Sequence, residues 1–329
     1  MKPGLSDKIF TVNCRDDFDH AALEIFNYQV SGNTVYRQFV ELLGVNPGSV
    51  DSPDMIPFLP AGFFRDHKVI TGGQPEKIVF ESSSTTGISA SRHYVVDPSL
   101  YMESFLKAFS LFYGDPGEYF IAALLPSYTE RQNSSLVFMM DEIIKRSAYA
   151  DSGFYSDNIR EMFSNIKAAK GKRMKILLVG VSFALLDLAE KYHPDLEGVI
   201  IMETGGMKGR RKEITRGELH SVLKSAFNVE AIHSEYGMTE LLSQAYSKGD
   251  GIFSTPPWMR IMIRDPHDPL SVLDEPGRAG GINIIDLANI HSCSFISTDD
   301  LGKLHADGSF EVLGRLDNSD IRGCNLLIE

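Results

Sequence analysis

The sequence predicts an α/β domain that carries a helical N-terminal extension and closes in a β-rich subdomain. From Lys77 to residue 250, short apolar runs alternate with amphipathic stretches of helical period, the pattern of strands wound with helices. Ahead of that region the periodicity is helical alone. After Gly251 it stops, leaving short apolar runs separated by polar turns. The implied boundaries are 1–70 for the extension, 71–250 for the α/β core and 251–329 for the β-rich part.

In chain order, Ala21 to Val40 carries Leu23, Phe26, Val30, Val35, Phe39 and Val40, a broad apolar face interrupted near Ser31-Gly32-Asn33. Pro53, Pro57 and Pro60 mark an extended connection. The core strands are expected at Lys77–Phe80, Tyr94–Asp97, Tyr119–Leu125, Lys175–Val181 and Gly198–Glu203, with another around Ala231–Ser234. Helices are expected at Leu100–Phe112, Ser134–Arg146, Ser156–Ala169, Phe183–Lys191 and Arg216–Phe227. In the last part Ile282–Leu287, Ser294–Ser297, Gly302–His305 and Ser309–Leu313 read as strands, with a turn at Ala306-Asp307-Gly308.

Composition narrows the function. At 329 residues, 43% hydrophobic and 23% charged, the chain can bury a large core. A formal charge of −12 speaks against a nucleic-acid surface, which needs a basic patch. No apolar run approaches the ~18 residues of a spanning helix. The stretch Met1-Lys2-Pro3-Gly4-Leu5-Ser6-Asp7 has no apolar signal core, so a cytoplasmic location is expected. Cys14, Cys293 and Cys324 are too few and too scattered for a disulfide framework or a zinc site.

Four segments hold the residue types that handle phosphate, metal and sugar. Ser82-Ser83-Ser84-Thr85-Thr86-Gly87 lies between two expected strands; its hydroxyls and backbone N–H groups can donate to phosphate, although it is not a Walker loop and a plain polar turn has the same composition. Tyr236-Gly237-Met238-Thr239-Glu240 follows a strand, with Glu240 opening a helical stretch. A carboxylate at that end suits Mg²⁺, and a helix cap by Thr239 is the plainer alternative. Thr298-Asp299-Asp300-Leu301-Gly302 offers a carboxylate for a ribose diol, or a turn aspartate holding its own backbone. Gly314-Arg315-Leu316-Asp317 offers the fixed cation of Arg315 to phosphate or ribose oxygens, or to a surface ion pair.

The order and spacing of these segments resemble the adenylate-forming superfamily of acyl-CoA synthetases, peptide-synthetase adenylation domains and luciferases. The family's phosphate loop is similar to Ser83–Gly87, its Tyr-Gly-x-Thr-Glu motif to Tyr236–Glu240, its ribose aspartate to Asp300 and its Gly-Arg-x-Asp hinge to Gly314–Asp317. Glu203-Thr204-Gly205-Gly206 resembles the segment that forms the adenine slot. The resemblance implies ATP and Mg²⁺ as cofactors, Thr85 and Thr239 on phosphate, Glu240 on the metal and Asp300 on the ribose. Two features depart from the pattern. The loop's usual lysine is absent, with Arg92 and His93 as the candidates to stand in for it, and the chain stops soon after Asp317, without the family's mobile C-terminal lysine domain.

That second departure resembles one branch, the LuxE-like acyl-protein synthetases of bacterial bioluminescence. The likeness runs from Phe26-Asn27-Tyr28-Gln29 and Ile56-Pro57-Phe58-Leu59-Pro60 through Leu125-Pro126-Ser127-Tyr128 to the end. It implies a fatty-acid substrate, transfer of the acyl group to Cys324 in Arg322-Gly323-Cys324-Asn325, and an acyl reductase or another acyl-acceptor protein as partner. The chemistry of Cys324 agrees, since Arg322 favours a thiolate and Gly323 grants freedom to move. A small buried hydrophobe is the alternative for that cysteine. Tyr128, Arg131 and Phe138 are candidates for the acid-pocket wall. Two rival functions remain. Gly180-Val181-Ser182-Phe183-Ala184 approximates a hydrolase nucleophile elbow, although a strand-to-helix turn with Ser182 as N-cap has the same pattern. The other rival is a nucleotide- or acyl-binding protein that docks on a partner without catalysis.

Overall fold

The computed structural model describes residues 5–83, 89–126, 131–205 and 214–316. The chain forms two units: Ile78–Arg92 with Pro98–Phe253, and Met1–Lys77 with His93–Asp97 and Ser254–Glu329.

The first unit is built on a mostly parallel sheet. Its strands run in the order Gly153–Phe154, Tyr119–Leu124, Lys175–Val181, Ile200–Thr204, Ile232–Tyr236 and Ala245–Ser247, the last antiparallel to its neighbour. Every residue of Tyr119–Leu124 is buried, as expected when helices cover both faces of a parallel sheet. On one face Phe120, Leu178, Ile201 and Ile232 pack against Met162, Ile166, Leu185 and Phe227. These come from the helices Ile159–Gly171, Ser182–Tyr192 and Arg216–Phe227. The alternate residues Leu177, Val179 and Met202 face Phe109, Met139 and Met140 from the helices Pro98–Tyr113 and Ser135–Ile144.

The second unit holds an antiparallel meander of Met259–Arg264, Ala279–Asp286, Phe295–Leu304 and Phe310–Arg315, with Leu59–Pro60 parallel to Phe295–Leu304. Its helices Arg15–Gly32 and Thr34–Leu42 meet at Asn33, whose side-chain oxygen accepts from the Tyr36 N–H at 3.0 Å as the second helix's N-cap. The Asn33 amide donates to Thr71 Oγ1 at 3.2 Å and to the Ser292 carbonyl at 3.0 Å. Buried Gln29 accepts from the Ser294 N–H at 2.9 Å and donates to the Asn289 and Ile290 carbonyls. Phe295 sits among Phe26, Tyr36 and Phe58.

Lys175–Val181 and Arg216–Phe227 have the expected bounds, and the interruption at Ser31-Gly32-Asn33 is a true helix break. The strands expected at Ser294–Ser297 and Gly302–His305 are instead one, Phe295–Leu304, which absorbs the polar residues between them through an irregular register at Leu301/Gly302. Met259–Arg264 was not expected as a strand. No helix among the described residues is long and apolar enough to cross a membrane.

Candidate active site

The carboxyl ends of the parallel strands carry a cluster of buried polar groups. Glu203, on Ile200–Thr204, is only 2% exposed. Its Oε1 accepts from Arg216 Nε at 3.1 Å and lies 3.6 Å from His220 Nε2, and its Oε2 accepts from the Ser182 hydroxyl at 3.1 Å. Burial pushes the Glu203 pKa up, but the His220 hydrogen bond, the Arg216 charge and Ser234 outweigh it, so the net direction is down. Ser182 also donates to the Gly205 carbonyl at 2.6 Å, sharing its single proton between the two acceptors. Gly205 sits at φ +64°, a conformation glycine adopts without steric cost. Ser182 therefore fixes the turn that leads into the Gly205-Gly206 segment.

This geometry removes the nucleophile reading of Ser182, bears out the strand-to-helix turn and shifts its cap. Its hydroxyl faces a carboxylate rather than an imidazole base, and His220 stands on the far side of that carboxylate, so the three do not form a nucleophile–base–acid relay. The N-cap of Ser182–Tyr192 is Val181, not Ser182, and no side chain caps that end.

Tyr236 ends the last parallel strand, and its ring meets Phe253 at 5.9 Å. The Arg216 guanidinium lies over the same Phe253 ring at 4.9 Å, linking the Glu203 cluster to the Tyr236 segment through packed aromatic surface. Glu235 lies across from Thr204 in the ladder and accepts a hydrogen bond from its hydroxyl. A Cβ on Gly237 would stand 2.5 Å from Glu235 Oε1, so a larger residue there would make that carboxylate shift. The chain then turns, with the Leu241 N–H donating to the Met238 carbonyl at 3.1 Å, and Glu240 is 6% exposed. The expected helix from Glu240 is absent. Residues 240–247 are all buried and lead into the strand Ala245–Ser247, which leaves no polar face for a surface helix.

The serine–threonine loop joins the strands Ile78–Glu81 and Arg92–Val95. Its base is closed by the Ser82 N–H donating to the Ser91 carbonyl at 3.0 Å and the Ser91 N–H donating to Ser82 Oγ at 2.9 Å. Ser83 is exposed; Ser84, Thr85, Thr86 and Gly87 lie outside the described residues. Arg92 Nε is 3.4 Å from Glu81 Oε1, so it is engaged with that carboxylate. His93 is 1% exposed and meets Phe64 edge-on, too deeply buried to serve as a loop cation.

Asp300 and Arg315 belong to the antiparallel unit, where they are register partners, with Arg315 Nε 3.9 Å from Asp300 Oδ1. Asp300 is thus a strand residue and not a turn aspartate. Arg264, overlooked in the sequence, underlies this edge. It is 7% exposed and donates to the Ile282 carbonyl at 2.8 Å, Asn283 Oδ1 at 3.0 Å and the Thr298 carbonyl at 2.6 Å. Burial lowers its pKa, against the opposing charges of Asp299 and Asp300. A Cβ on Gly281 would lie 2.4 Å from Arg264 Cζ, so the Gly280-Gly281 pair in an otherwise apolar strand was the available signal.

Among the other candidates, Gly206, Tyr128, Asp317 and Cys324 lie outside the described residues, and Arg131 is exposed. Phe138 is half-buried and packs against Phe80 and Tyr101. Cys14 caps a helix, and burial pushes the Cys293 thiol up to about 12. The described residues contain no cluster of three or more His, Cys, Asp or Glu that could hold a metal. A site with Glu240 as its lone carboxylate fits Mg²⁺, which commonly takes one or two carboxylates and completes its shell with phosphate and water.

No family model matches the chain, and no curated protein does. Solved structures do match. ATP-bound MatB from Rhodopseudomonas palustris is 16% identical with a TM-score of 0.52, over 72% of this chain and 47% of that one. The ATP-bound RpMatB–BxBclM chimera B1 is 18% identical with a TM-score of 0.53, over 72% and 47%. The corresponding chimera B3 is 17% identical at 0.52, over 75% and 49%. The chain spans about half the length of these structures. The likeness shows the fold, the α/β architecture of the adenylate-forming enzymes.

Proposed function

We propose that the chain activates a carboxylic acid with ATP and passes the acyl group to a thiol. One observation carries this reading: Tyr236-Gly237-Met238-Thr239-Glu240 turns at the carboxyl end of the last parallel strand, in a fold shared with ATP-bound structures. Ser83, Ser84, Thr85, Thr86 and Gly87 would donate to the phosphates, as would Thr239. Gly205 and Gly206 would flank the adenine, with Tyr236 and Gly237 closing the other edge. Asp300 would accept from the ribose hydroxyls, and Arg315 would donate to phosphate or ribose oxygens. Glu240 would hold Mg²⁺, which when bound offsets charge building on the phosphates.

The acid's carboxylate oxygen attacks the α-phosphorus, and the bond from that phosphorus to pyrophosphate breaks. The Cys324 thiolate then attacks the acyl carbonyl carbon. The bond to the AMP oxygen breaks, AMP leaves, and a thioester remains for an acyl reductase or another acceptor protein. A fatty acid is the proposed substrate class.

Acid-dependent ATP–pyrophosphate exchange tests the first step. Exchange by the full chain supports an enzyme; nucleotide binding without exchange with any acid would make it a binding protein. Cys324→Ser should keep exchange and lose hydroxylamine-sensitive acyl labelling, and labelling that persists would move the acceptor elsewhere.

A further inference from the structure

Asp300 sits in a break of the antiparallel ladder. Gly281 pairs with Leu301 and Asn283 with Ser297, so Ile282 alone stands opposite Thr298, Asp299 and Asp300. The surplus residues have to leave the ladder, and such a bulge re-aims the side chains it carries. It also takes backbone groups away from their strand partners, which is unfavourable where water is excluded.

Arg264 supplies new partners. It faces Gly281 across the ladder, where a Cβ would overlap the guanidinium carbon, so the bare glycine lets the side chain cross that strand. Its Nη1 donates to the Ile282 carbonyl at 2.8 Å and to Asn283 Oδ1 at 3.0 Å. Its Nη2 donates to the Thr298 carbonyl at 2.6 Å. One planar cation thus ties both strands at the bulge, with a forked geometry that an ammonium does not have.

Thr298, itself 1% exposed, carries the link onward. Its hydroxyl donates to the Ile282 carbonyl at 2.9 Å and accepts from the Asp300 N–H at 3.1 Å. A continuous chain of contacts therefore runs from the buried guanidinium to the backbone of Asp300. Burying a charge is seldom the stablest way to fill a core. What this one adds is a fixed place for the residue proposed to grip the ribose.

We propose that Arg264 is a positioning residue for the nucleotide, pinning the Thr298–Asp300 bulge so that the Asp300 carboxylate meets the ribose hydroxyls. The proposal rests on the acid-activation reading, which gives Asp300 that role.

Calorimetric titration of the full chain with ATP and with 2′,3′-dideoxy-ATP tests it. The wild type should bind ATP about tenfold tighter than the analogue that lacks both hydroxyls. Arg264→Met should cut that preference to about twofold, with dideoxy-ATP binding within about twofold of wild type. Added to Asp300→Asn, the same change should weaken ATP binding by less than about twofold more, because both act through one carboxylate. If Arg264→Met fails to fold, Thr298→Val, which keeps the shape and removes the hydroxyl, should give this pattern. A preference that Asp300→Asn removes but both other variants keep would overturn the positioning role alone. Equal weakening of ATP and dideoxy-ATP, or additive losses with Asp300→Asn, would also overturn it and leave Arg264 a structural cation. Equal binding of the two nucleotides by wild type would remove the ribose assignment together with the proposal. The full pattern without acid-dependent exchange would remove activation and leave the positioning role standing.

Discussion

The two units present their polar groups in opposite ways. In the parallel sheet the chemistry-bearing residues cluster where the strands end: Glu203, Thr204 and Gly205 at the end of one, Tyr236 to Glu240 at the end of the next. In the antiparallel meander Asp300 stands within a strand, beside a register irregularity, and Arg264 holds that strand at the Thr298 carbonyl. A parallel sheet covered on both faces has only its ends free for ligands. An antiparallel sheet can expose alternate residues and re-aim them with a bulge. The first arrangement depends on turns, the second on what lies under the strand.

The contrast predicts different failures. Arg264→Met should be the most damaging change. It leaves the Thr298 carbonyl and Asn283 Oδ1 without the buried cation's N–H groups and should cost about 3 kcal/mol of stability, read from denaturant midpoints. A loss below about 1 kcal/mol would mean that the meander does not depend on its buried cation. Glu240→Ala should leave the fold intact and lower acid-dependent exchange about 100-fold, a loss of ~2.7 kcal/mol in the transition state. Exchange at the wild-type rate would remove the metal-ligand assignment. Asp300→Asn should raise the KM for ATP about tenfold with kcat little changed, since a ribose contact persists through the reaction. A fall in kcat alone would place Asp300 in the chemistry instead.

The smallest effect concerns pH. His233 is held down to about 4, first by burial and then by the charge of Lys248, against a usual value of 6.5. Its Nδ1 is 3.1 Å from the Tyr113 hydroxyl. The unfolded chain protonates this imidazole below 6.5 while the folded chain resists until about 4, so stability is full above 6.5 and is lost as pH falls through that window. The ring is partly exposed, which reduces the effect to about 1 kcal/mol. Thermal melts between pH 7 and 4 should show this slope, and His233→Gln should flatten it.

Much of this molecule was legible in its sequence. Lys175–Val181 reads as a strand because its buried residues form an unbroken apolar run, and Arg216–Phe227 as a helix because Leu219, Leu223 and Phe227 recur on one face. The place of Tyr236–Glu240 at a strand's carboxyl end was visible, though not the turn that replaces the expected helix. What stayed hidden were arrangements that exist only after folding. Ser182, Glu203 and Arg216 are spread over 34 positions and join only where adjacent strands end. The stretch from Glu240 has helix-like composition, yet burial on every side overrides local propensity. Arg264 reads as a surface residue, as arginine usually is, and its one signal was the distant Gly280-Gly281 pair.

The N-terminal helices have a further consequence for synthesis. Gln29 and Asn33 find their acceptors at Asn289, Ile290 and Ser292, and Asp19 pairs with Arg260. On the ribosome these first helices emerge more than two hundred residues before their partners. The intervening parallel sheet can assemble in that interval. A chain released early, near residue 253, would carry these helices without the acceptors of Gln29 and Asn33, a natural handle for quality-control proteases.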